Sequence, residues 1–225
     1  MPNDVTTVIK ASKKVLDSIV SSEGHVDFNL VIPSFDDGMP NGIPLNAESL
    51  AECATKFNFD PNDLMSRFRL NAIIEFDVRD LSDENFEIAI KMLRNIREHG
   101  YAHRMDFARA EWGTKWNAYQ SEIKDGEVSF ETAWSHPVPV LKAISTEFPE
   151  EEISVMYADE DTGSNCGKYT IKNGEVLSED IAPNWSEQGD DEKSKWSEFA
   201  MKLIHGQDIK PEDYDLNENW MYEEN

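Results

Sequence analysis

Three carboxylates in a row, Asp159, Glu160 and Asp161, run into the polar loop Thr162-Gly163-Ser164-Asn165-Cys166-Gly167. Carboxylates at alternate positions, with an amide nearby, could hold a hard cation such as calcium or magnesium. The spacing does not complete a calcium loop, because the bidentate Glu that closes one is missing. A solvated strand end with Asp-mediated turns accounts for the same residues, and no metal is expected. Trp112, Lys115, Trp116 and Asn117, joined by Asn165, make a second group. Aromatic residues with a few polar groups are the usual lining of a ligand pocket. The competing account has both Trp residues anchoring the entry to a sheet, with Lys115 paired to an acid.

Other chemistry is thinner. His99 and His103 have the spacing of a metal pair on a helix, but Gly100 between them should end that helix. His99 then reads as a dipole partner at the helix C-terminus. Lys91, Arg94, Arg97, Arg104 and Arg109 form the one basic cluster, able to grip phosphate or to pair with the chain's own acids. Cys53 and Cys166 are the only cysteines, which is neither a disulfide framework nor a zinc knuckle. Cys166, in an acidic loop, lacks the electropositive setting that activates a thiol. No nucleophile elbow, phosphate loop or dinucleotide fingerprint occurs. No catalytic residue and no cofactor is expected.

Charge sharpens the picture. The 225 residues carry a formal net charge of -24. Residues 1–110 hold 18 acids and 12 bases, whereas 111–225 hold 27 acids and 9 bases. Unassisted contact with duplex nucleic acid is not expected, because it rests on Lys and Arg neutralising phosphates. A basic partner protein is the natural complement; plain solubility is the simpler account of the same charge. The paucity of cysteine fits a reducing compartment. The N-terminus lacks a signal-peptide layout, and no apolar run approaches the ~20 residues of a membrane helix. A cytoplasmic protein without membrane contact is expected.

Periodicity supplies the elements that would position these groups. Val5, Val8, Ile9, Ser12, Leu16, Ile19 and Val20 read as one face of a helix over 4–21. Phe28, Leu30 and Ile32 alternate like a short strand. Asn46 and Asp60 are candidate caps for two short helices. Leu70, Ala72, Ile74, Phe76 and Val78 alternate as a strand. Ser82 caps a helix that Gly100 ends. Residues 116–123 and 127–134 make a hairpin turning at Asp125-Gly126, with Val128, Phe130, Thr132 and Trp134 on one buried face. A helix follows over 138–148, then a strand over 152–158, then a hairpin at Asn173-Gly174. From Leu70 this is the strand-helix-strand-strand-helix-strand order of a ferredoxin-like sheet. The expected class is α+β: an antiparallel sheet with helices on one face, plus an N-terminal helical segment. The expected division is 1–69 as that segment, 70–183 as the core, and 184–225 as a helix with an acidic tail.

Trp112-Gly113-Thr114-Lys115-Trp116-Asn117, Thr132-Ala133-Trp134, Phe148-Pro149 and Tyr157-Ala158-Asp159-Glu160-Asp161 together resemble the YubB-like family, as does Gly163-Ser164-Asn165-Cys166-Gly167. That family is an uncharacterised group of phages and plasmids with a ferredoxin-like C-terminal domain. Asp27-Phe28-Asn29 is similar to its N-terminal signature. The resemblance covers roughly residues 25–35 and 111–176. It implies a mobile-element origin and a fold, and carries no catalytic residues. The segment before Asp27, read as helix, departs from the family's opening strand.

Two functional readings follow. The first is a non-enzymatic interaction protein whose acidic surface engages a basic host protein, one that handles nucleic acid or serves defence, and inhibits it by imitating nucleic acid. Its candidate residues are Glu150, Glu151, Glu152, Asp159, Glu160, Asp161, Asp190, Asp191 and Glu192, with Trp220 as an aromatic anchor. The second is a small enzyme or ligand-binding domain using the Trp112/Asp159 region, with Trp112, Lys115, Trp116, Asn117 and Asn165 as its pocket. Self-assembly into a homo-oligomer is compatible with either.

Overall fold

The structure is a computed structural model that describes residues 3–39, 42–55, 62, 64, 67 and 77–221. The chain forms two compact units: residues 1–33 with 108–225, and residues 34–107. These boundaries lie elsewhere than the divisions at 69/70 and 183/184 drawn from composition.

The first unit is built on strand β1, Asp4–Lys10. This corrects the helical reading of residues 4–21. Thr6-Thr7-Val8-Ile9 is an unbroken β-branched run, which loses rotamer freedom in a helix and packs well on a pleated surface. Val5, Thr7 and Ile9 point to one face and are buried. Helical geometry survives only in α1, Lys13–Asp17, where Val15 and Leu16 are buried. The strand expected at Phe28–Ile32 is instead a 3-10 turn, Phe28–Leu30, because the Asp27 carboxylate accepts the Asn29 N–H at 2.9 Å and turns the chain.

Among the described residues the sheet has six strands: β1, then β2 (Tyr119–Lys124), β3 (Glu127–Ala133), β4 (Ile153–Asp159), β5 (Gly167–Lys172) and β6 (Glu175–Ile181). Their spatial order is β2-β3-β1-β4-β5-β6, with every pairing antiparallel. The first four strands follow the ferredoxin-like order, with β1 as the opening strand. The strand expected at 70–78 falls outside the described residues except at its end, where Val78–Asp80 is a 3-10 turn. β5 and β6 extend the sheet through a hairpin in which Asn173 (φ 48°) and Gly174 (φ 77°) both adopt the left-handed backbone of a two-residue turn.

The register places Val5 opposite Thr132 and Asp159, Thr7 opposite Phe130 and Tyr157, and Ile9 opposite Val128 and Val155. These side chains share the core face. Helix α4, Val138–Glu147, buries Val140, Leu141 and Ile144. Phe28 sits between Trp112 and Phe130, edge-on to each at 5.7 Å between ring centroids. Helix α5, Asp190–His205, packs on β4, where Trp196 and Ala200 cluster with Ala158 and Cys166.

One feature of β3 differs from the sequence reading. Trp134 does not join the buried face of Val128, Phe130 and Thr132. It lies past the strand end with φ 70° and is 48% exposed. The Trp134 N–H donates to Asn3 O at 2.9 Å, Thr132 Oγ1 donates to Ser135 O at 2.8 Å, and Ser135 Oγ donates to Gly113 O at 2.5 Å. These bonds turn the chain and carry the indole outward.

In the second unit, α2 (Leu45–Cys53) packs on α3 (Asp83–His99). Ser82 Oγ caps α3 by accepting the Asn85 N–H, and Gly100 ends it at φ 86°. Asn46 does not cap α2. Pro44 takes the cap position, and Asn46 Oδ1 accepts from Ala47 N and Asn85 Nδ2. The cap expected at Asp60 lies outside the described residues.

The two ends of the interruption in the first unit are joined by a polar knot. Asp27 Oδ1 accepts Asn117 Nδ2 at 2.7 Å, and Asn117 Oδ1 accepts the N–H groups of Phe28 and Ala118, each at 2.9 Å. Asn117→Ala would strand these donors and acceptors in a half-buried setting. It should cost about 1–3 kcal/mol, read as a lower denaturation midpoint at unchanged slope; an unchanged midpoint would remove the knot from the stabilising set.

Candidate functional site

The loop after β4 is held from below by Asp159. This residue is only 5% exposed. Its Oδ1 accepts Asn3 Nδ2 at 3.2 Å and the Asp161 N–H at 2.9 Å, and its Oδ2 accepts Asn165 Nδ2 at 2.9 Å. The expected solvated loop is therefore corrected at its first residue. Asp159 is an internal acceptor that fixes the loop, whereas Glu160 and Asp161 are exposed.

Glu160 and Asp161 form one wall of a cleft of about 950 Å³. Trp185, Asp190 and Lys193 form another, and Trp220 belongs to the C-terminal wall. Gly163 closes in on the second wall with φ 82°. A Cβ there would lie 2.7 Å from Ser197 Oγ and 2.8 Å from Trp185 Cζ3, so glycine is required. Gln188, itself buried, ties the walls together by donating to Gly163 O at 3.0 Å and Pro183 O at 2.8 Å. Among the described residues, Glu160, Asp161 and Asp190 enter no ion pair. Trp185 is 40% exposed, with Lys193 Nζ 5.1 Å from its ring. The arrangement offers three carboxylates outside any ion pair among the described residues, with Lys193 as the cleft's own cation, around a part-exposed indole, a setting for a cationic side chain.

The structure thus gathers some of the expected partner-binding residues and separates others. Glu160, Asp161, Asp190 and Trp220 share the cleft. Trp220 is 8% exposed and packs with Met201 and Leu216, so it builds the wall. Asp190, Asp191 and Glu192 all lie in the first turn of α5, where acids offset the helix dipole; Glu192 Oε2 also accepts the Gly189 N–H at 3.3 Å. Glu150, Glu151 and Glu152 precede β4 and lie about 20 Å from the cleft, the length of a seven-residue strand.

The expected ligand-pocket residues also divide. Trp112 is 2% exposed and donates from Nε1 to Ile32 O at 2.9 Å. Asn117 is committed to the knot with Asp27. Lys115, Trp116 and Asn165 reach the surface beside Trp134. Lys115 Nζ lies 4.5 Å from the Trp134 ring and 4.7 Å from the Trp116 ring. Arg109 Cζ lies 5.8 Å from Trp134 on its other neighbour, and Asn165 Nδ2 donates to Trp134 O at 3.4 Å. A left-handed backbone at a bulky residue costs about 1–3 kcal/mol, whereas an exposed cation–π contact returns about 0.5–1. The position is therefore not explained by folding stability alone. From sequence, Arg109 falls in the basic cluster and Trp134 on the buried strand face, and neither is joined to this surface. The available signal was Ser135-His136-Pro137, since a residue before proline marks a chain turn.

Of the basic cluster, Arg97 pairs with Glu98 at 3.2 Å, Lys91 donates to Gly38 O, and, among the described residues, only Arg109 lies over an aromatic ring. His99 stacks on Phe35 at 4.3 Å. His103 is fully buried and its Nδ1 accepts the Asp106 N–H, so the two histidines do not act as a pair. Among the described residues, no group of three or more His, Cys, Asp or Glu is placed to hold a metal ion. Burial pushes the Cys166 thiol up to about 12. His136 stacks on Tyr157 at 3.7 Å, and burial lowers it to about 4.

Residues 112–201 match the family model described as a ferredoxin-like domain in Api92-like protein. The match spans the sheet from just before β2 through most of α5. Among solved structures, the crystal structure of protein Api92 from Yersinia pseudotuberculosis is similar at 8% identity and a TM-score of 0.39, covering 81% of this chain and 99% of that one. No curated protein matches.

Two outcomes test this geometry. Asp159→Asn replaces one accepting oxygen by an amide donor, which then faces either Asn165 Nδ2 or the two donors on Oδ1; it should cost about 1–3 kcal/mol, read in chemical denaturation, and a silent change would mean the carboxylate does not fix the loop. His136 is depressed in the folded state, so between pH 6.5 and about 4 the unfolded chain binds the extra proton. Stability should be complete above pH 6.5 and fall as pH drops through that window, by at most roughly 3 kcal/mol. His136→Phe should flatten that part of the profile.

Proposed function

We propose that this chain is a non-enzymatic interaction protein whose cleft receives basic side chains of a partner protein. The observation that carries the reading is the cleft itself: Glu160, Asp161 and Asp190, without ion pairs among the described residues, around the exposed indole of Trp185. A partner Arg fits such a site by stacking its guanidinium on the indole while its N–H groups meet carboxylates. The excess of 27 acids over 9 bases in residues 111–225 supports electrostatic steering of such a partner. In its concrete form the partner is a nucleic-acid-handling or defence protein of a host cell. The chain inhibits it by presenting carboxylates where phosphates would bind. The likeness to phage and plasmid YubB-like proteins supports that form, and only by association.

A small enzyme at the Trp112/Asp159 region has less support. Trp112 and Asp159 are both buried and hydrogen-bonded within the fold, so neither end of that region is free for substrate. The acids at Glu150–Glu152 remain a separate candidate surface, distant from the cleft.

The test takes the basic protein recovered by affinity purification and measures its binding to the intact chain across a salt series. Neutralising the cleft by Glu160→Gln, Asp161→Asn and Asp190→Asn together should weaken binding by roughly tenfold or more and flatten the salt slope. The parallel triple change at Glu150, Glu151 and Glu152 should do little. Equal binding by parent and cleft variant, with the same slope, would leave the acidity as a solubility feature.

A further inference from the structure

We propose that the surface formed by Trp134, Trp116, Lys115 and Arg109 binds a nucleotide, the base stacked on the Trp134 indole and the phosphate held by Arg109 and Lys115. This is a second site, independent of the acidic cleft. Trp134 and Trp116 are 48% and 40% exposed. Lys115 Nζ lies within 4.7 Å of both rings and Arg109 Cζ within 5.8 Å of Trp134. Neither Lys115 nor Arg109 enters an ion pair among the described residues, in a chain with 45 acids to 21 bases. Two cations without ion pairs lie over these indoles, near enough to move to a phosphate as a base takes the ring face, the reverse of what so acidic a surface produces by default.

The backbone adds a second argument. Trp134 is held at φ 70°, a conformation that Gly or Asn adopts at less cost. The bonds from Asn3, Ser135 and Asn165 would hold the turn with either of those residues. The indole is 48% exposed and lies outside the buried core, so its value lies largely on the outside. Strained aromatic residues on a rigid frame are characteristic of ligand clamps. Asn165 is fixed through Nδ2 to Asp159 and Trp134 O, which leaves its Oδ1 as an acceptor for a base amine.

The joint demand selects the ligand. A neutral sugar would leave the two cations unused, and an aliphatic acid would leave the indole unused. A base next to a phosphate uses both: stacking tolerates any base, and guanidinium and ammonium groups donate charge-assisted hydrogen bonds to phosphate. The net charge of -24 opposes a long polyanion. Screening within about 8 Å lets the local cations act on a single phosphate. A free mononucleotide is therefore the first source of this chemistry and the end of a single strand the second.

The experiment is calorimetric titration of the full chain with adenosine 5′-monophosphate, with adenosine, and with single-stranded oligodeoxyadenylate. The monophosphate should saturate one site and adenosine should bind more weakly. Binding of the oligomer alone would place the same chemistry at a strand end. Trp134→Asn should raise the thermal midpoint, because Asn suits the backbone, yet weaken binding about tenfold or more. Arg109→Gln should weaken binding and reduce its salt dependence. Trp185→Phe, in the cleft, should leave it unchanged. The proposal is overturned if no nucleotide binds at about 1 mM, if Trp134→Asn binds like the parent, or if adenosine binds as well as its monophosphate.

Discussion

The hydrogen-bonded knot of Asp27 and Asn117 is the constraint on which the first unit depends. The chain leaves this unit after Pro33 and returns at Ala108, so closing the sheet means joining segments far apart in sequence. Loop-closure entropy opposes that joining, though it grows only slowly with length. Asp27 accepts the Asn117 amide, and Asn117 accepts the Phe28 N–H. Phe28 is thereby held against Trp112 and Phe130, where the two segments share apolar area. Trp112 adds its own bond across the junction, from Nε1 to Ile32 O. A buried polar group left unpaired is costly, so the pairing makes one register of the two segments much better than its neighbours. The motifs Asp27-Phe28-Asn29 and Trp112–Asn117 thus act as two halves of one structural clasp.

How much of this was legible in the sequence depends on how local each signal was. Helix α3 could be read from Ser82 and Gly100, and the β5–β6 turn from Asn173-Gly174, because cap and turn chemistry lies within a few residues. Strands β3 and β4 were legible from strict alternation. β1 was not: Val5, Val8, Ile9, Ser12 and Leu16 satisfy a helical period as well. The decision fell to pairing with Phe130 and Tyr157, well over a hundred residues later. Tertiary pairing overrides such an ambiguous local pattern. Trp134 followed the alternation of its strand; Pro137 nearby signals a turn, but the partners that hold the turn, Asn3 and Gly113, lie far away in sequence. The cleft was legible only as scattered charge, since residues 160–164, 185–197 and 217–221 build it jointly.

The acids of the C-terminal half do several different things, and burial separates them. Asp159 is an acceptor inside the fold, where its carboxylate meets three donors. Glu131 is raised by burial and by the nearby charges of Asp4 and Glu160, so the sheet carries its negative charge at some cost. Asp191 and Glu192 sit where a helix N-terminus favours them. Lys195 and Lys168 meet Asp180, an exposed pair network of little energetic weight. What is left unaccounted for inside the fold is Glu160 and Asp161, while Asp190 is shared between the helix N-terminus and the cleft. Net charge therefore overstates the acidic surface available to a partner, and position selects the part that is free.

The loop between β4 and β5 connects the two candidate sites. On one side Asn165 bonds Asp159 and the Trp134 carbonyl; on the other Gly163 lies against Ser197 and Trp185. The loop is short and its ends are pinned by paired strands. Gly163 leaves no room for a side chain, and the Asp159 carboxylate accepts three hydrogen bonds, so the loop is held from both sides. A rigid loop of this kind suits binding surfaces better than a reaction requiring closure, because recognition gains from groups fixed before the partner arrives.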